Sequence, residues 1–260
     1  MGTLVGDGRD IPLQLASNHT ADRLRKLRPA KIRRAVKRRW FEFLVSRSPR
    51  SAAPGLEDLG TAYGGWLVPS ALIGDSWTCY SVGAGGDISF DLELCRRFDA
   101  RVRAFEAVAE LAELAVSDGA SEPRFEAHHA AVATEDGPLR MQVSHDIVSR
   151  SVSPAGLYES DRYVEVPGRT LESLMAELGD PHIDLLKLDI EGGEYGLLPQ
   201  LDMRSLGVKI FAVQMHHTGT VTEARALIAG LREQGYRLVG CRPAVKLTFA
   251  LAELLDQPAR

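Results

Sequence analysis

Residues 77–106, WTCYSVGAGGDISFDLELCRRFDARVRAFE, constrain the fold more than any other stretch of the chain. Residues 77–82 are apolar and β-preferring, the composition of a buried strand. Gly83-Ala84-Gly85-Gly86 then strips side-chain bulk from a sharp turn, so that a ligand can lie against bare backbone. Asp87 is placed to cap a helix whose Ile88, Leu92, Cys95 and Phe98 share one face. A second strand over residues 101–105 ends on Glu106, 23 positions after Gly83. At about that separation α/β folds place a carboxylate to accept hydrogen bonds from a ribose diol. The unit is built to hold a nucleoside.

The alternation continues downstream. A short helix is expected over residues 107–116, a third strand over 125–133 and a turn over 134–138. Adjacent His128 and His129 would face opposite sides of that strand and cannot chelate together. Residues 139–166 read as a long irregular insertion carrying Ser144-His145-Asp146, and loops of that length usually serve function. A helix over 170–178 leads into a buried strand that ends in Asp189-Ile190-Glu191-Gly192-Gly193-Glu194. A further strand over 209–215 ends on His216-His217, a helix follows over 221–234, and two closing strands span 236–241 and 246–251. Strand and helix in alternation argue for a doubly wound, mostly parallel α/β sheet with helices on both faces, seven strands in all. Ligands bind such sheets outside the carboxyl ends of the strands, where strand order reverses. The glycine turn, Glu106, residues 134–136, Asp189–Glu194 and His216 all follow expected strand ends.

Charge divides the chain. Its net charge of −4 hides an excess of nine positive charges in residues 1–50 and of thirteen negative charges in the remainder. Residues 21–47 form one amphipathic basic helix, or two broken at Pro29. A packed helix with a solvated basic face competes there with a peripheral membrane contact or a platform for an anionic substrate. Nucleic acid is disfavoured, because the aromatics Trp40 and Phe43 sit together at one end instead of alternating with the cations. A Pro- and Gly-bearing linker over 48–60 suggests a division into a basic extension, residues 1–60, and a domain, residues 61–260. The loop Tyr63-Gly64-Gly65-Trp66 either covers a ligand or forms a tight turn anchored by its Trp. Three scattered cysteines, the lack of a long apolar run and the lack of a signal-peptide core lead us to expect a cytoplasmic protein.

YSVGAGGDISF (80–90), AFEAVAE (104–110), AAVATEDG (130–137) and above all IDLLKLDIEGGEYGLL (183–198) resemble the FkbM-like branch of class I S-adenosylmethionine-dependent methyltransferases. The resemblance covers about residues 77–217. Ser81 stands where an acid often opens the glycine motif, which reads GAGGD instead of GxGxG, and Ala107 stands where a Pro often follows the acid. The resemblance implies a Rossmann-like methyltransferase sheet with an N-terminal helical extension and S-adenosylmethionine as cofactor. It puts the backbone of Gly83, Ala84 and Gly85 against the cofactor's amino-acid portion, Glu106 on both ribose hydroxyls, Ala133 beside the adenine and Asp189 beside the sulfonium or the acceptor. Tyr63, Ser81, Asp87 and Ala107 complete the expected cofactor-binding set.

Methyl transfer to oxygen needs a hydroxyl in line with the methyl carbon and a group to take its proton. His145, His216, Asp189 and Glu191 are the candidates. Asp189 and Glu191 share a face if the strand is regular, and with His216 they form a candidate ligand set for a divalent cation such as Mg2+. A capping role for the following helix is the plainer alternative, especially for Glu194. No NPPY-like motif for an attacking nitrogen follows Asp189, so a small-molecule hydroxyl acceptor is expected, a saccharide or other secondary metabolite, with a homodimer left open. Two rivals stand beside this reading: an NAD-dependent Rossmann oxidoreductase, and a non-catalytic interaction module whose basic helix binds membrane or a partner.

Overall fold

A computed structural model describes residues 29–143, 152–153 and 161–257 of the chain. Contacts divide the chain into two compact units, Met1–Trp40 and Phe41–Arg260. Of the first unit, residues 29–40 are described, and they are helical: α1 runs Pro29–Val45, with Pro at its first position, where the missing N–H costs nothing. In the second unit, Phe41 and Val45 are buried in its core. The expected division after residue 60 falls instead inside a hairpin, because β1 (Leu56–Leu59) pairs antiparallel with β2 (Trp66–Pro69). The supposed linker is partly a strand. No helix among the described residues is long and apolar enough to cross a membrane.

The main sheet is built in chain order from β3 (Thr78–Val82), α2 (Ser89–Phe98), β4 (Arg101–Glu106), α3 (Ala109–Gly119) and β5 (Phe125–His129). The chain then leaves this sheet and makes a smaller one from β6 (Ala131–Val132), β7 (Gly137–Val143), β8 (Val152–Ser153) and β9 (Tyr163–Arg169). It returns through α4 (Leu171–Leu178), β10 (Leu185–Leu188), α5 (Glu194–Leu197), β11 (Ile210–Gln214), α6 (Val221–Glu233), β12 (Tyr236–Arg242), β13 (Lys246–Leu251) and α7 (Ala252–Leu255). Strand order is β12-β13-β11-β10-β3-β4-β5, with β13 alone antiparallel to its neighbours. The fold is therefore the expected α/β class, a mostly parallel seven-stranded Rossmann-like sheet. Order reverses between β3 and β10, so the ends of these two strands form the crevice in which such sheets bind ligands.

Period-2 side-chain alternation feeds two cores, one on each face of the sheet. Tyr80, Val82, Phe105, Leu186 and Leu188 point into one; Cys79, Val102, Ala104 and Leu185 into the other. Across β11 and β13 the register pairs Phe211 with Phe249, and the two rings lie 6.1 Å apart between centroids. Truncating a buried aromatic of this kind typically costs about 3–5 kcal/mol. Two helices show why their starts were legible: Thr170 accepts from Ser173 N ahead of α4, and Thr220 with Glu223 forms a full capping box ahead of α6.

Two sequence expectations fail locally. The single strand over 125–133 breaks at Ala130: its first half stays in the main sheet and its second half joins the small one. Residues 139–166 are not wholly irregular either, since β7 and β9 pair antiparallel over six positions. Leu139, Met141 and Val143 alternate there with Arg140 and Gln142, and Met141 packs with Val166 and Ala131. His145 lies outside the described residues.

One buried ionic group ties the two halves of the sheet sequence together. Tyr80 Oη donates to Asp180 Oδ2 at 3.0 Å and Arg103 Nε donates to the same oxygen at 3.1 Å, all three groups being buried. Burial first, and then the charge of Asp180, push the Tyr80 phenol well above its usual range. Removing one partner from such a cluster strands the others in low dielectric. Asp180→Ala is expected to lower the unfolding free energy by about 3–5 kcal/mol, read from urea denaturation, and Arg103→Met should cost much less on top of it.

Candidate active site

The ends of β3, β4, β10 and β11 and the loops that follow them line a cleft of about 1660 Å³. Its floor is the turn after β3. Gly83 has φ +78°, and a Cβ on it would fall 1.9 Å from the carbonyl oxygen of Asp189. No other residue type fits there, because the β3 and β10 strand ends come into backbone contact at this point. Gly83 N–H donates to Phe105 O at 2.8 Å, Asp189 N–H donates to Val82 O at 2.9 Å, and the Lys187 ammonium donates to Gly83 O. Gly85 also has a left-handed φ, +61°, but it and Gly86 face open space in the cleft, as a turn that bares its backbone to a ligand should.

Glu106, at the end of β4, is buried and rigidly held: Oε2 accepts from Gly85 N–H at 2.8 Å and Oε1 from Val108 N–H at 2.9 Å. Each oxygen keeps a further lone pair toward the cleft, so the carboxylate can still accept from a diol. Asp87 caps locally, accepting from Ser89 N–H at 2.9 Å and from the Thr61 hydroxyl. Burial pushes its carboxyl up, but the hydrogen bonds from Ser89, Thr61 and Gly64 outweigh that and lower its pKa. These bonds also seat the loop before β2, and Gly64 has no room for a side chain over Asp87. Tyr63, Gly83, Ala84, Gly85, Asp87, Glu106, Ala107 and Ala133 all line the cleft. Ser81 does not: it is buried inside β3. His128 and His129 are structural, the first stacked on Phe105 and the second bonded to Ala107 O at 3.1 Å.

Facing this floor is an acid–imidazole cluster. His216 Nε2 lies 3.8 Å from Asp189 Oδ1 and 3.5 Å from Glu191 Oε2, while Nδ1 lies 2.8 Å from Glu194 Oε1. Glu194 is wholly buried at the start of α5, and its Oε2 has no hydrogen-bond partner. Glu191 holds φ +52°, a strained value for a residue with a side chain, at the turn that brings its carboxylate back beside Asp189. Regular strand geometry does not bring the pair together, as the sequence spacing had suggested; β10 ends at Leu188 and the turn does it. One ligand atom each from Asp189, Glu191 and His216 lie within 4.8 Å of one another. A carboxylate on Nδ1 is the usual support of a metal-ligating histidine, so the donor set fits a divalent cation once Gln214 Nε2, 3.2 Å from His216 Nε2, turns away. Without one, a proton does the same work. Burial alone would lower the His216 pKa, but the Glu194 hydrogen bond and the charges of Glu194, Asp189 and Glu191 raise it to about 9.

Sequence reasoning missed the cationic wall of the cleft. Lys246, at the start of β13, donates to Tyr63 O at 3.2 Å and to Gly65 O at 3.4 Å, and its Nζ lies 4.6 Å from the Trp66 ring centroid. Arg242, at the end of β12, donates to Gly65 O at 2.9 Å. Only Lys187 of this group lies in a stretch singled out beforehand.

The glycine turn after β3, the buried Glu106 carboxylate and the strand-order reversal between β3 and β10 together form a Rossmann-like cleft. The model of the methyltransferase FkbM domain matches residues 80–238. The chain belongs to that family, and the cofactor that such a methyltransferase implies is S-adenosylmethionine. Among solved structures, the human methyltransferase 10 domain-containing protein is similar at 12% identity, over 84% of this chain and 81% of that one, with a TM-score of 0.38. A methyltransferase from Aquifex aeolicus is similar at 13% identity, over 68% and 81%, with a TM-score of 0.34. The Methanococcus jannaschii fibrillarin pre-rRNA processing protein is similar at 11% identity, over 70% and 69%, with a TM-score of 0.40. No curated protein matches the sequence.

The cluster makes stability depend on pH in a definite sense. Because the His216 pKa is raised on folding, its contribution is fully present below about pH 6.5 and is lost as pH rises through about 9. In chelator, the melting temperature is expected to fall across that window, and His216→Gln should flatten the fall.

Proposed function

We propose that the protein is an S-adenosylmethionine-dependent O-methyltransferase whose acceptor is a hydroxyl of a saccharide or a similar polyol. The observation that carries this reading is the meeting, in one cleft, of the Gly83–Glu106 nucleoside floor with the Asp189–Glu191–His216 cluster. Gly83, Gly85 and Glu106 would hold the cofactor, which supplies a methyl group on a sulfonium when bound. The cleft residues do the rest. Asp189, on the Gly83 side of the cluster, would accept the proton of the acceptor hydroxyl. Glu191 accepts from a neighbouring hydroxyl and fixes the orientation, which suits a polyol. His216 is a poor base here, since as an imidazolium at neutral pH it has no lone pair to offer. Its role is to hold Asp189 and Glu191 together, either as that cation or as a neutral ligand of Mg2+, which would acidify the hydroxyl.

Calorimetric titration tests the reaction class. S-adenosylmethionine and S-adenosylhomocysteine are expected to bind and NAD is not; NAD binding would favour the oxidoreductase, and no binding the non-catalytic module. Glu106→Ala should weaken S-adenosylhomocysteine binding by roughly ten- to a hundredfold, the loss of one or two charge-assisted hydrogen bonds. Asp189→Asn is expected to lower kcat by about 10²–10⁴-fold in a saccharide acceptor screen, with S-adenosylhomocysteine affinity kept. Adding Mg2+ should raise the melting temperature of the wild type but not of Glu191→Ala; equal behaviour of the two would remove the metal and leave the imidazolium in its place.

A further inference from the structure

Two lysines of the cleft hold positive charge without a carboxylate in ion-pair contact among the described residues. Lys187 is buried in β10, and its ammonium donates to Gly83 O. Lys246 is half-buried and donates to Tyr63 O and Gly65 O. An ammonium carries three donors, so two remain on Lys187 and one on Lys246. No described carboxylate lies within 4.0 Å of either nitrogen, whereas buried ammonium groups are ordinarily paired. The charge of Asp91 acts on Lys187, and those of Asp189 and Asp87 act on Lys246, but only through space and without ion-pair contact.

The two charges act on each other across the cleft. Both lie against the same ring, Lys187 Nζ 5.9 Å and Lys246 Nζ 4.6 Å from the Trp66 centroid, and both side chains line the cleft. Each also holds one of the two backbone segments that border the floor: the turn at Gly83 from below and the loop at Tyr63–Gly65 from the hairpin side. Trp66 is itself fully buried and packed on Phe90, so the ring is a fixed platform and the charges are held in place, not swung on free side chains. A pair of preorganised, unpaired cations between two backbone segments is a receptor for a carboxylate.

Resting on the reading of the cleft as an S-adenosylmethionine site, we infer that Lys187 and Lys246 clamp the α-carboxylate of the cofactor's amino-acid end. The clamp selects the intact amino-acid moiety: a nucleoside without it gains nothing from these two residues. It also couples cofactor binding to the hairpin, because the same Lys246 ammonium that meets the carboxylate holds Tyr63 and Gly65.

Lys246→Met is the informative variant, since Lys187 is buried and its loss could unfold the turn. Titrate wild type, Lys246→Met and Lys246→Arg with S-adenosylhomocysteine and with 5′-methylthioadenosine, which lacks the amino-acid end. The inference expects Lys246→Met to weaken S-adenosylhomocysteine by about tenfold or more, to leave 5′-methylthioadenosine within about twofold, and Lys246→Arg to restore most of the loss. An unchanged S-adenosylhomocysteine affinity overturns the clamp, and so does an equal loss for both ligands, which would mark general damage to the floor. Should wild type bind neither ligand, the cofactor assignment itself falls, and the clamp with it.

Discussion

The contact between Gly83 and the Asp189 carbonyl is the constraint on which the rest of the cleft depends. Two parallel strands that lead in opposite topological directions, β3 toward β4 and β10 toward β11, end side by side there. Because Gly83 has no Cβ, their backbones close to van der Waals contact, and the glycine loop comes to lie directly beside the carboxylates of the next strand end. The groups nearest that contact are placed by it. Lys187, one strand position short of the turn, bonds Gly83 O; Glu106, across β4, bonds Gly85 N–H; Asp189 supplies the carbonyl against which Gly83 rests.

The cleft is electrically divided. One wall carries Asp189 and Glu191, backed by the buried His216 and Glu194, and the other carries Arg242 together with Lys187 and Lys246, which lie by the Trp66 indole. Neither wall is balanced internally. The raised His216 pKa favours a proton beside the acids, and on the basic wall the two lysines donate to backbone carbonyls while Arg242 pairs with Asp58 at 3.3 Å. Such division suits a ligand pair in which one partner brings an anion and the other brings hydroxyls.

Much of this was legible in the chain. The α/β class, the seven strands, the glycine turn, Glu106 and the acid burst after β10 could be read because each rests on a local pattern: hydrophobic alternation, a run without side chains, or a carboxylate at fixed spacing. The starts of α4 and α6 were legible for the same reason, since Thr170 and Thr220 cap them within four residues. The small sheet was missed although Leu139, Met141 and Val143 alternate, because the strand that pairs with them, β9, lies beyond the span over which a pattern is read. The first hairpin was taken for linker because Pro and Gly flank a strand of only four residues.

Sequence by itself determined which groups this protein has to work with: the bare turn, the acid at the end of β4, the three acids in six residues and the histidine at the next strand end. Only the tertiary structure decided how they combine. The pairing of Glu191 with Asp189 comes from a left-handed turn that no strand periodicity predicts, and Ser81, adjacent to the floor in sequence, points into the core. The approach of Lys246 to Lys187 depends on β13 entering the sheet antiparallel beside β11 and on a hairpin 180 residues earlier that presents Trp66. Local propensities act over a few residues, whereas charge acts through space, so the electrostatics of the cleft exist only once the strands are assembled.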